Sequence, residues 1–405
     1  MSWWSNLSRG ERATFFACFG GWALDAFDYQ FYTFVIPTLR KEWNISAGEA
    51  GTLATAALLS SALGGWLAGL LADRIGRVRT LQLTILWFAV FTCLAGLARG
   101  YWDMFFARAL IGLGFGGEWA AGAVLMGEVI SSRHRGKAVG FVQSGWALGW
   151  GAAAILYTII FSRLPEQTAW RVLFFAGIAP ALLVFFIRRN VQEPAVFRAA
   201  QESGQRGRFL EIFSPQILRT TVLAALLATG AQGGYYAITT WLPTFLRTER
   251  KLSVLNTGGY LGVLIFGSFC GYLVGAVLAD RLGRRRNFFV FALGCMATVL
   301  VYTHVAVSDA QMLFLGFPLG FFASGIFSGM GAFLTELFPT RIRGSGQGFT
   351  YNFGRGFGAL FPSVVGYLSA GMPLGRAIGF FAASAYAVLF VAAVLLPETR
   401  GKELA

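Results

Sequence analysis

Charged side chains are scarce in this sequence. Only 13% of its 405 residues are Asp, Glu, Lys or Arg, whereas 56% are hydrophobic and 16% are aromatic. Soluble domains carry about 25% charged residues, so this chain lacks the polar residues that would cover a core of its size. The composition excludes a water-soluble globular protein and predicts an outer surface that faces lipid.

Histidine and cysteine are also few, and their positions exclude further kinds of site. The two histidines, His134 and His304, fall at the edges of predicted spans, so no histidine proton relay is expected inside the membrane. The four cysteines fall within spans, at spacings that match neither a disulfide framework nor a metal site. The sequence lacks a nucleotide-binding loop and a nucleophile–base pair, so we expect neither a cofactor nor an enzyme.

Long apolar runs, in contrast, are abundant. A run of about twenty residues crosses a bilayer core of about 30 Å, and such runs follow one another along nearly the whole chain. We predict an all-α membrane protein of twelve transmembrane helices. The predicted spans are 13–37, 50–71, 80–98, 102–127, 137–162, 169–188, 220–245, 257–279, 288–308, 310–337, 346–368 and 375–396.

The net charge of +14 reflects membrane topology rather than nucleic-acid binding. If both termini are cytoplasmic, most of the 33 Lys and Arg residues fall in cytoplasmic connections, in agreement with the positive-inside rule. The first span has no signal-peptide cleavage site and is interpreted as a retained helix. We therefore predict a multi-pass protein of the cell inner membrane with both termini cytoplasmic, in contact with lipid and not with nucleic acid.

An internal repeat divides the chain into two halves. Residues 72–79 read ADRIGRVR and residues 279–286 read ADRLGRRR, and a second motif around Arg135 returns around Arg343 at nearly the same offset. Two motifs that repeat at one offset indicate a duplicated six-helix unit, with a binding site between the two units. We predict pseudo-symmetric six-helix bundles over 1–187 and 220–405, joined by a cytoplasmic linker over 188–219.

These motifs resemble those of the major facilitator superfamily. The resemblance rests on GxxxDRxGRxR at 69–79, its echo at 279–286, an RxxxGxG pattern that starts at Arg108, and PETRGKEL at 397–404. It covers essentially the whole chain. It implies the major facilitator fold, transport by alternating access, and a monomer that contains a complete cavity.

Shorter motifs resemble the sialate:proton symporter group, which includes sialic acid permeases and lactate-type carboxylate permeases. They are LDAFDY (24–29), GGEW (116–119), GFVQSGW (140–146) and GFTYN (348–352). The seventh span keeps Gln232 but lacks the His and Asp of lactate-type members. The resemblance implies transport of a small organic anion, such as a monocarboxylate or an acidic sugar, coupled to protons.

Three acids, Asp25, Asp28 and Glu118, fall deep within spans of the first half. A charge at the bilayer centre is costly, so each is a functional candidate. A buried carboxyl that gains or loses a cationic neighbour can load a proton on one side and release it on the other. Arg108 is the candidate cation and is placed to reach Asp28. We predict that these four residues couple protons; the alternatives are structural bonding of the acids and a static Arg108 salt bridge.

Arg355 falls deep within the eleventh span, and no acid lies deep within a span of the second half, since Glu336 falls at a cytoplasmic helix end. An unpaired buried guanidinium is very costly unless water or an anionic solute meets it, and its planar fork fits a carboxylate. We predict that Arg355 binds a substrate carboxylate. The alternative is an ion pair across the cavity with Asp25, Asp28 or Glu118.

Aromatic and amide side chains at helical spacing complete the predicted substrate site. Such walls suit a medium-sized organic molecule, although a membrane Tyr or Gln is often only an interhelical bond. The candidates are Tyr32, Trp119, Gln143, Trp146, Gln232, Tyr235, Tyr236, Tyr351 and Asn352.

The repeated loop motifs predict a two-fold latch on the cytoplasmic side. Acids at helix ends are placed to meet the positive starts of other helices, and the resemblance implies that these motifs gate conformational change. The alternative is topology anchoring alone. The predicted gating residues are Asp73, Arg74, Arg77, Glu128, Arg135, Asp280, Arg281, Arg284, Glu336 and Arg343.

The leading hypothesis is therefore a secondary transporter that carries an organic anion together with protons. The alternatives within the same fold are a proton-coupled efflux antiporter and a transporter of neutral solutes or sugars. The fifth span contains no proline, so it lacks the Gly-Pro signature of many antiporters, which favours symport.

Overall fold

The computed structural model describes residues 4, 7–129, 135–193, 209–339 and 342–400. Within these residues the regular structure is entirely helical. The first-half helices are α1 (Arg9–Trp43), α2 (Ala47–Ile75), α3 (Arg77–Ala95), α4 (Tyr101–Val129), α5 (Arg135–Phe161), α6 (Glu166–Ala176) and α7 (Ala181–Asn190). A 3-10 helix (Phe209–Phe213) precedes α8 (Pro215–Thr248), α9 (Val254–Leu282), α10 (Arg284–His304), α11 (Asp309–Leu337), α12 (Arg343–Gly358), α13 (Leu360–Leu368) and α14 (Leu374–Leu395).

The repeat seen in the sequence recurs in the backbone. Helices α2 and α9 each have 29 residues. A single glycine follows each of them, Gly76 with φ 106° and Gly283 with φ 96°. Only glycine adopts such angles without steric cost, and the next helix of each half starts directly after it. The turns at Gly76 and Gly283, here called the corners, therefore have the same conformation. The boundaries of the two halves at 187 and 220 stay predictions.

Side-chain caps fix the starts of several helices. Ser8, Ser46 and Ser308 each accept a hydrogen bond from the backbone N–H three residues later, and a Glu or Gln at that position bonds back to the cap. These capping boxes satisfy backbone donors that would otherwise lack partners. They set the start of α1, α2 and α11 at or just before the predicted spans.

The eleventh span is two helices where the sequence predicts one. Helix α12 ends at Gly358 and α13 begins at Leu360. The hydroxyl of Thr55 on α2 donates to the Ala359 carbonyl at this break, at 2.5 Å. Arg355 lies in the last turn of α12, where the partial negative charge of a helix end favours a cation. The sixth span is likewise divided, into α6 and α7.

The two halves meet closely where α2 packs against α13. A Cβ at Gly51 would lie 2.4 Å from the Pro362 carbonyl oxygen, and one at Gly366 would lie 2.4 Å from that of Ala47. Real Cβ atoms do not approach so closely, so glycine is required on both sides of this seam. The contact fixes the position of the eleventh span, and with it Arg355, against the first half.

Eight helical segments of the described chain are long and apolar enough to cross a membrane. Helices α1, α4, α8 and the α12–α13 pair fall outside that set. The buried charges that the sequence singles out, Asp25, Asp28, Arg108, Glu118 and Arg355, lie on α1, α4 and α12.

Candidate transport site

Five charged side chains lie at the centre of the helical bundle. Asp25, Asp28, Arg108, Glu118 and Arg355 are each at most 3% exposed. Arg77 is the remaining buried charged side chain among the described residues, and its Nη1 donates to a backbone carbonyl at the turn between α2 and α3. The structure therefore brings the four predicted proton-coupling residues and the predicted carboxylate-binding arginine into one buried region.

The carboxyls of Asp25 and Glu118 lie side by side between α1 and α4. Glu118 packs against Gly21, one turn before Asp25, where a Cβ would lie 2.2 Å from its Oε1. Within the described part of the chain, no protein donor bonds to either oxygen of Asp25. Two carboxyls therefore face each other without a cationic or amide donor between them.

Asp28 is separate from that pair. Its carboxyl lies beside Thr92 of α3, and neither oxygen has a hydrogen-bond partner among the described residues. Asp28 and Arg108 line the same small cavity, but the described residues show no ion pair between them within 4 Å. The expected direct contact between Arg108 and Asp28 is thus not made in this conformation.

Arg108 instead stacks on the tyrosines of α1. Its guanidinium carbon lies 4.5 Å from the ring centre of Tyr32 and 5.6 Å from that of Tyr29. Among the described residues, its Nε and Nη2 have no hydrogen-bond partner. A guanidinium held by aromatic faces alone keeps its donors free for an anion or a moving carboxylate.

Arg355, on α12, has a similar environment. Its guanidinium carbon lies 5.2 Å from the ring centre of Tyr351 and 5.1 Å from that of Phe115, which belongs to the first half. Nε and Nη1 have no partner among the described residues, and no described carboxylate lies within 4 Å. Its charge acts on both Asp25 and Glu118, so it is near the carboxyl pair without bonding to it.

Aromatic rings form the wall between these charges. Tyr29 and Phe115 stack with ring centres 5.6 Å apart, and Trp146 lies 6.0 Å and 5.9 Å from them. Trp22 lies 4.9 Å from Trp146. The ring of Tyr236 contributes from the second half, 6.2 Å from Tyr29. The sequence analysis missed Trp22 and Phe115, although each lies three residues before a buried acid on the same helix.

Several predicted substrate residues form hydrogen bonds between or within the halves. Trp146 Nε1 donates to the Tyr235 hydroxyl across the halves at 2.6 Å. Gln232 Nε2 donates to the Tyr351 carbonyl at 2.9 Å, and the Tyr236 hydroxyl donates to Gln232 Oε1 at 3.4 Å. These bonds hold the aromatic rings in place around Arg355.

Other predicted substrate residues are less directly placed. The Tyr32 hydroxyl donates to the Ala50 carbonyl at 2.5 Å, and Asn352 Nδ2 donates to the Gly348 carbonyl at 3.0 Å. Gln143 is buried, and its Oε1 has no partner among the described residues. The side chain of Trp119 lies outside the described residues.

All the lining residues of the small cavity near Asp28 belong to the first half. Besides Phe115, the sequence analysis missed Ala57, Phe88 and Ile111, which are apolar and have no distinguishing sequence signal. The lining residues are Asp25, Asp28, Tyr29, Ala57, Phe88, Arg108, Ile111, Gly112 and Phe115.

The predicted cytoplasmic latch is described in part. Arg284 bonds to Glu336 through Nη2 at 2.9 Å and Nε at 3.2 Å. Arg77 and Arg284 also make equivalent bonds, to the carbonyls of Ala72 and Ala279, at 3.1 and 2.8 Å. Arg281 is exposed. The side chains of Asp73, Arg74, Glu128, Arg135, Asp280 and Arg343 lie outside the described residues.

A second pair of glutamates supports the same corners. Glu193 accepts from the backbone N–H groups of Arg77 and Val78, each at 2.9 Å. Glu398 accepts from those of Arg284 at 2.9 Å and Arg285 at 3.1 Å. Glu193 therefore caps α3, and Glu398 caps the equivalent helix α10. The sequence analysis missed this role, although each Glu stands next to a proline just after the last span of its half.

A polar network joins the halves at the predicted outer end. Arg247 of α8 bonds to Glu166 Oε1 at 2.6 Å and to the Tyr157 hydroxyl at 3.3 Å. Thr38 of α1 donates to Glu166 Oε2 at 2.9 Å. The sequence analysis missed this network, because the partners are far apart in the chain and lie at predicted span ends.

Comparisons with known proteins agree with this architecture. The family model described as Major Facilitator Superfamily matches residues 18–362 and 266–404. The chain belongs to the major facilitator superfamily. The fold expected from the sequence is confirmed, and membership of a transporter family supports transport instead of catalysis.

Individual relatives extend over the whole chain. A probable 4-methylmuconolactone transporter of Cupriavidus pinatubonensis is 45% identical over 99% of this chain and 94% of its own length. The sialic acid transporter NanX of Escherichia coli is 26% identical over 96% and 95%. A solved bacterial homologue of the human lysosomal transporter Spinster has a TM-score of 0.65 and 17% identity over 96% and 95%. The last shares the fold.

Proposed function

We propose that this protein carries a small organic anion across the inner membrane together with protons, by alternating access. Arg355 binds the carboxylate of the solute, and the acids of the first half carry protons. Both termini lie in the cytoplasm and one chain forms the working unit. Two named substrates of the relatives, muconolactone and sialic acid, are organic acids, which supports this solute class.

The buried guanidinium of Arg355 carries this proposal. It is 1% exposed, has two donors without a described partner, and lies at the boundary of the halves beside Phe115. A cation in this position needs a counter-charge to be stable. A carboxylate that accepts two parallel hydrogen bonds from the planar fork meets that need.

The aromatic rings favour a flat or ring-bearing anion. Tyr29 lies beside Arg108 and Phe115 beside Arg355, and Trp146 and Tyr236 pack against Tyr29. Faces of this kind bind planar unsaturated groups through stacking and dispersion. A neutral sugar offers no carboxylate to the Nε and Nη1 donors of Arg355, which have no partner among the described residues, so the site favours an acid over a neutral solute.

Uptake into liposomes tests the proposal. Purified protein is reconstituted, given an inward pH gradient, and offered labelled 4-methylmuconolactone, benzoate, sialic acid and glucose separately. We expect at least one acid to accumulate against its gradient, and collapse of the gradient by a protonophore to abolish this accumulation. Accumulation of glucose alone, or equal uptake of an acid without the gradient, would refute the proposal.

A further inference from the structure

We infer that the Asp25–Glu118 pair is the coupled proton site and that it makes transport electroneutral, with one proton for each negative charge on the substrate. The inference rests on the proposed function and adds the stoichiometry and the site. Asp28 and Arg108, which line the same small cavity without an ion pair, then keep their protonation states through the cycle.

The count of buried charges sets the first constraint. Three acids and two arginines lie at the centre of the described bundle, so the region carries one excess negative charge when every acid is ionised. Net charge in a low-dielectric site is costly. One proton on the acids therefore neutralises the empty site.

The geometry places that proton on the pair. Asp25 and Glu118 face each other, and no described protein donor bonds to either oxygen of Asp25. Two ionised carboxylates in contact repel each other, whereas one proton between them supplies the missing hydrogen bond. The pair then carries a single negative charge, which the nearby Arg355 balances.

Among the described residues, Asp28 is the one further carboxyl in the surroundings of the pair. On α1 the titratable neighbours are Cys18 and Asp28; on α4, Arg108; on α12, Arg355. The remaining titratable neighbours are a cysteine on α3 and tyrosines: Cys93 lies near Asp28, Tyr29 lies near Arg108 and Arg355, and Tyr236 and Tyr351 lie near Arg355. Tyrosine and cysteine are neutral at pH 7 unless strongly activated.

Substrate binding changes this balance. A substrate carboxylate that binds Arg355 balances the charge of Arg355 in place of the Asp25–Glu118 pair. The single negative charge of the pair then has no counter-charge. The remaining carboxylate accepts one proton from the outer solution and becomes neutral. After the halves move, the anion leaves Arg355 and that proton leaves the pair into the inner solution. No covalent bond other than this O–H bond forms or breaks, and the net charge moved is zero for a monoanion.

Driving forces applied separately to wild-type proteoliposomes test the stoichiometry, with 4-methylmuconolactone as probe. One proton per charge predicts accumulation of about tenfold for one pH unit and none for a potassium diffusion potential alone. Accumulation driven by the potential alone would overturn the inference, and so would accumulation of about a hundredfold for one pH unit. Either result would still be compatible with the proposed function, which is proton-coupled uptake. No gradient-dependent uptake of any acid in the panel would instead refute the proposed function.

Proton uptake on binding tests the assignment to the pair. In detergent with a pH indicator dye, we expect about one proton per anion bound for wild type, Asp25→Asn, Glu118→Gln and Asp28→Asn, because each retains at least one carboxyl of the pair. The double variant Asp25→Asn, Glu118→Gln should bind the anion and take up none. Proton uptake by the double variant, or its loss in Asp28→Asn, would overturn the assignment. If the double variant does not fold, the proton uptake of Asp28→Asn alone tests the assignment: retained uptake supports it, and lost uptake overturns it.

Discussion

The two halves of this transporter have the same corners but different centres. The turns at Gly76 and Gly283 both have a positive φ. Helices α3 and α10, which follow these turns, are capped by Glu193 and Glu398. The buried charges of the centre are not repeated: four belong to the first half, and Arg355 belongs to the second. The two halves thus share the backbone of their corners, whereas their buried charges differ.

This difference indicates how the halves divide the work. If the halves rock about a shared axis, as proposed, a corner must behave alike in both halves. A binding site between them has no such requirement, since each solute presents different groups to each side. Coupling follows if the proton is held by one half and the anion by the other, so that neither is carried alone.

Substitution of Arg355 is expected to give the largest effect among the tests of this asymmetry. Arg355→Gln should weaken anion binding by about 30-fold or more, because loss of one partner of a buried charge pair costs about 2 kcal/mol or more. Arg108→Gln should cost less, and Arg281→Gln, at an exposed position, should change nothing. Calorimetric titration of 4-methylmuconolactone measures each affinity. An equal loss in the Arg108 variant would show that both halves hold the anion.

The seam between the halves is the next test. Gly51→Ala would place a Cβ 2.4 Å from the Pro362 carbonyl oxygen, so we expect a loss of about 1–3 kcal/mol from overpacking. Thermal unfolding in detergent measures this loss as a lower Tm. Gly69→Ala on the same helix is the matched control, because no atom lies within 4 Å of its added Cβ.

If Gly51→Ala unfolds at the same temperature as Gly69→Ala, the halves are not held in contact at this seam. Gly366→Ala tests the same contact from the second half, since its Cβ would lie 2.4 Å from the Ala47 carbonyl oxygen. We expect its effect to be similar.

The outer network tests contact between the halves at one end. Arg247→Ala removes the bonds to Glu166 and Tyr157, so we expect the outer-open population to rise about fivefold, corresponding to about 1 kcal/mol. Spin labels at Arg163 and Lys251 report the opening as longer distances. Arg250→Ala is the control, because Arg250 pairs with Asp309 at 2.7 Å within the second half. Longer distances in the control as well would mean that the effect is not specific to the contact between halves.

The sequence predicts the fold well because the signals for it are local. Apolar runs, loop motifs and their repeat identify the spans and the family, and buried charges such as Glu118 and Arg355 are visible within apolar runs. The sequence does not predict which charges touch. Asp25 lies nearer in sequence to Asp28, yet its carboxyl faces Glu118 on another helix. The packing of the helices, and not the spacing along the chain, determines which side chains come into contact.

Contacts at helix ends were also beyond sequence reasoning. The Arg247–Glu166 pair joins residues 81 positions apart. The break at Ala359 has a sequence signal that the analysis missed, because Pro362 lacks the N–H that would bond to the Gly358 carbonyl. The caps at Glu193 and Glu398 also have a sequence signal, in the adjacent proline. Recognising them requires knowing which helix start they reach, which is a property of the folded bundle.

These caps give the smallest expected effect and the most direct comparison of the halves. Glu193→Gln and Glu398→Gln should each lower stability by about 0.5–1 kcal/mol, since a charged cap at a helix start is replaced by a neutral one. Thermal unfolding measures both variants. Equal losses would support equivalent corners, whereas a large loss in only one half would show that the repeat is not functionally symmetric.

The pH dependence of the Glu398 effect separates its charge from its packing. Burial raises the pKa of Glu398, but hydrogen bonds from the backbone N–H groups of Arg284, Arg400, Arg285 and Thr399 outweigh it and hold this pKa below the usual value. A carboxyl with a lowered pKa contributes its full stability above the unfolded-state value of about 4.3, and this contribution is lost as pH falls through the lower folded-state pKa. The Tm difference between wild type and Glu398→Gln should therefore be constant from pH 8 to about pH 5 and shrink below about pH 4. A difference that persists unchanged in acid would mean that the carboxylate charge does not stabilise this corner.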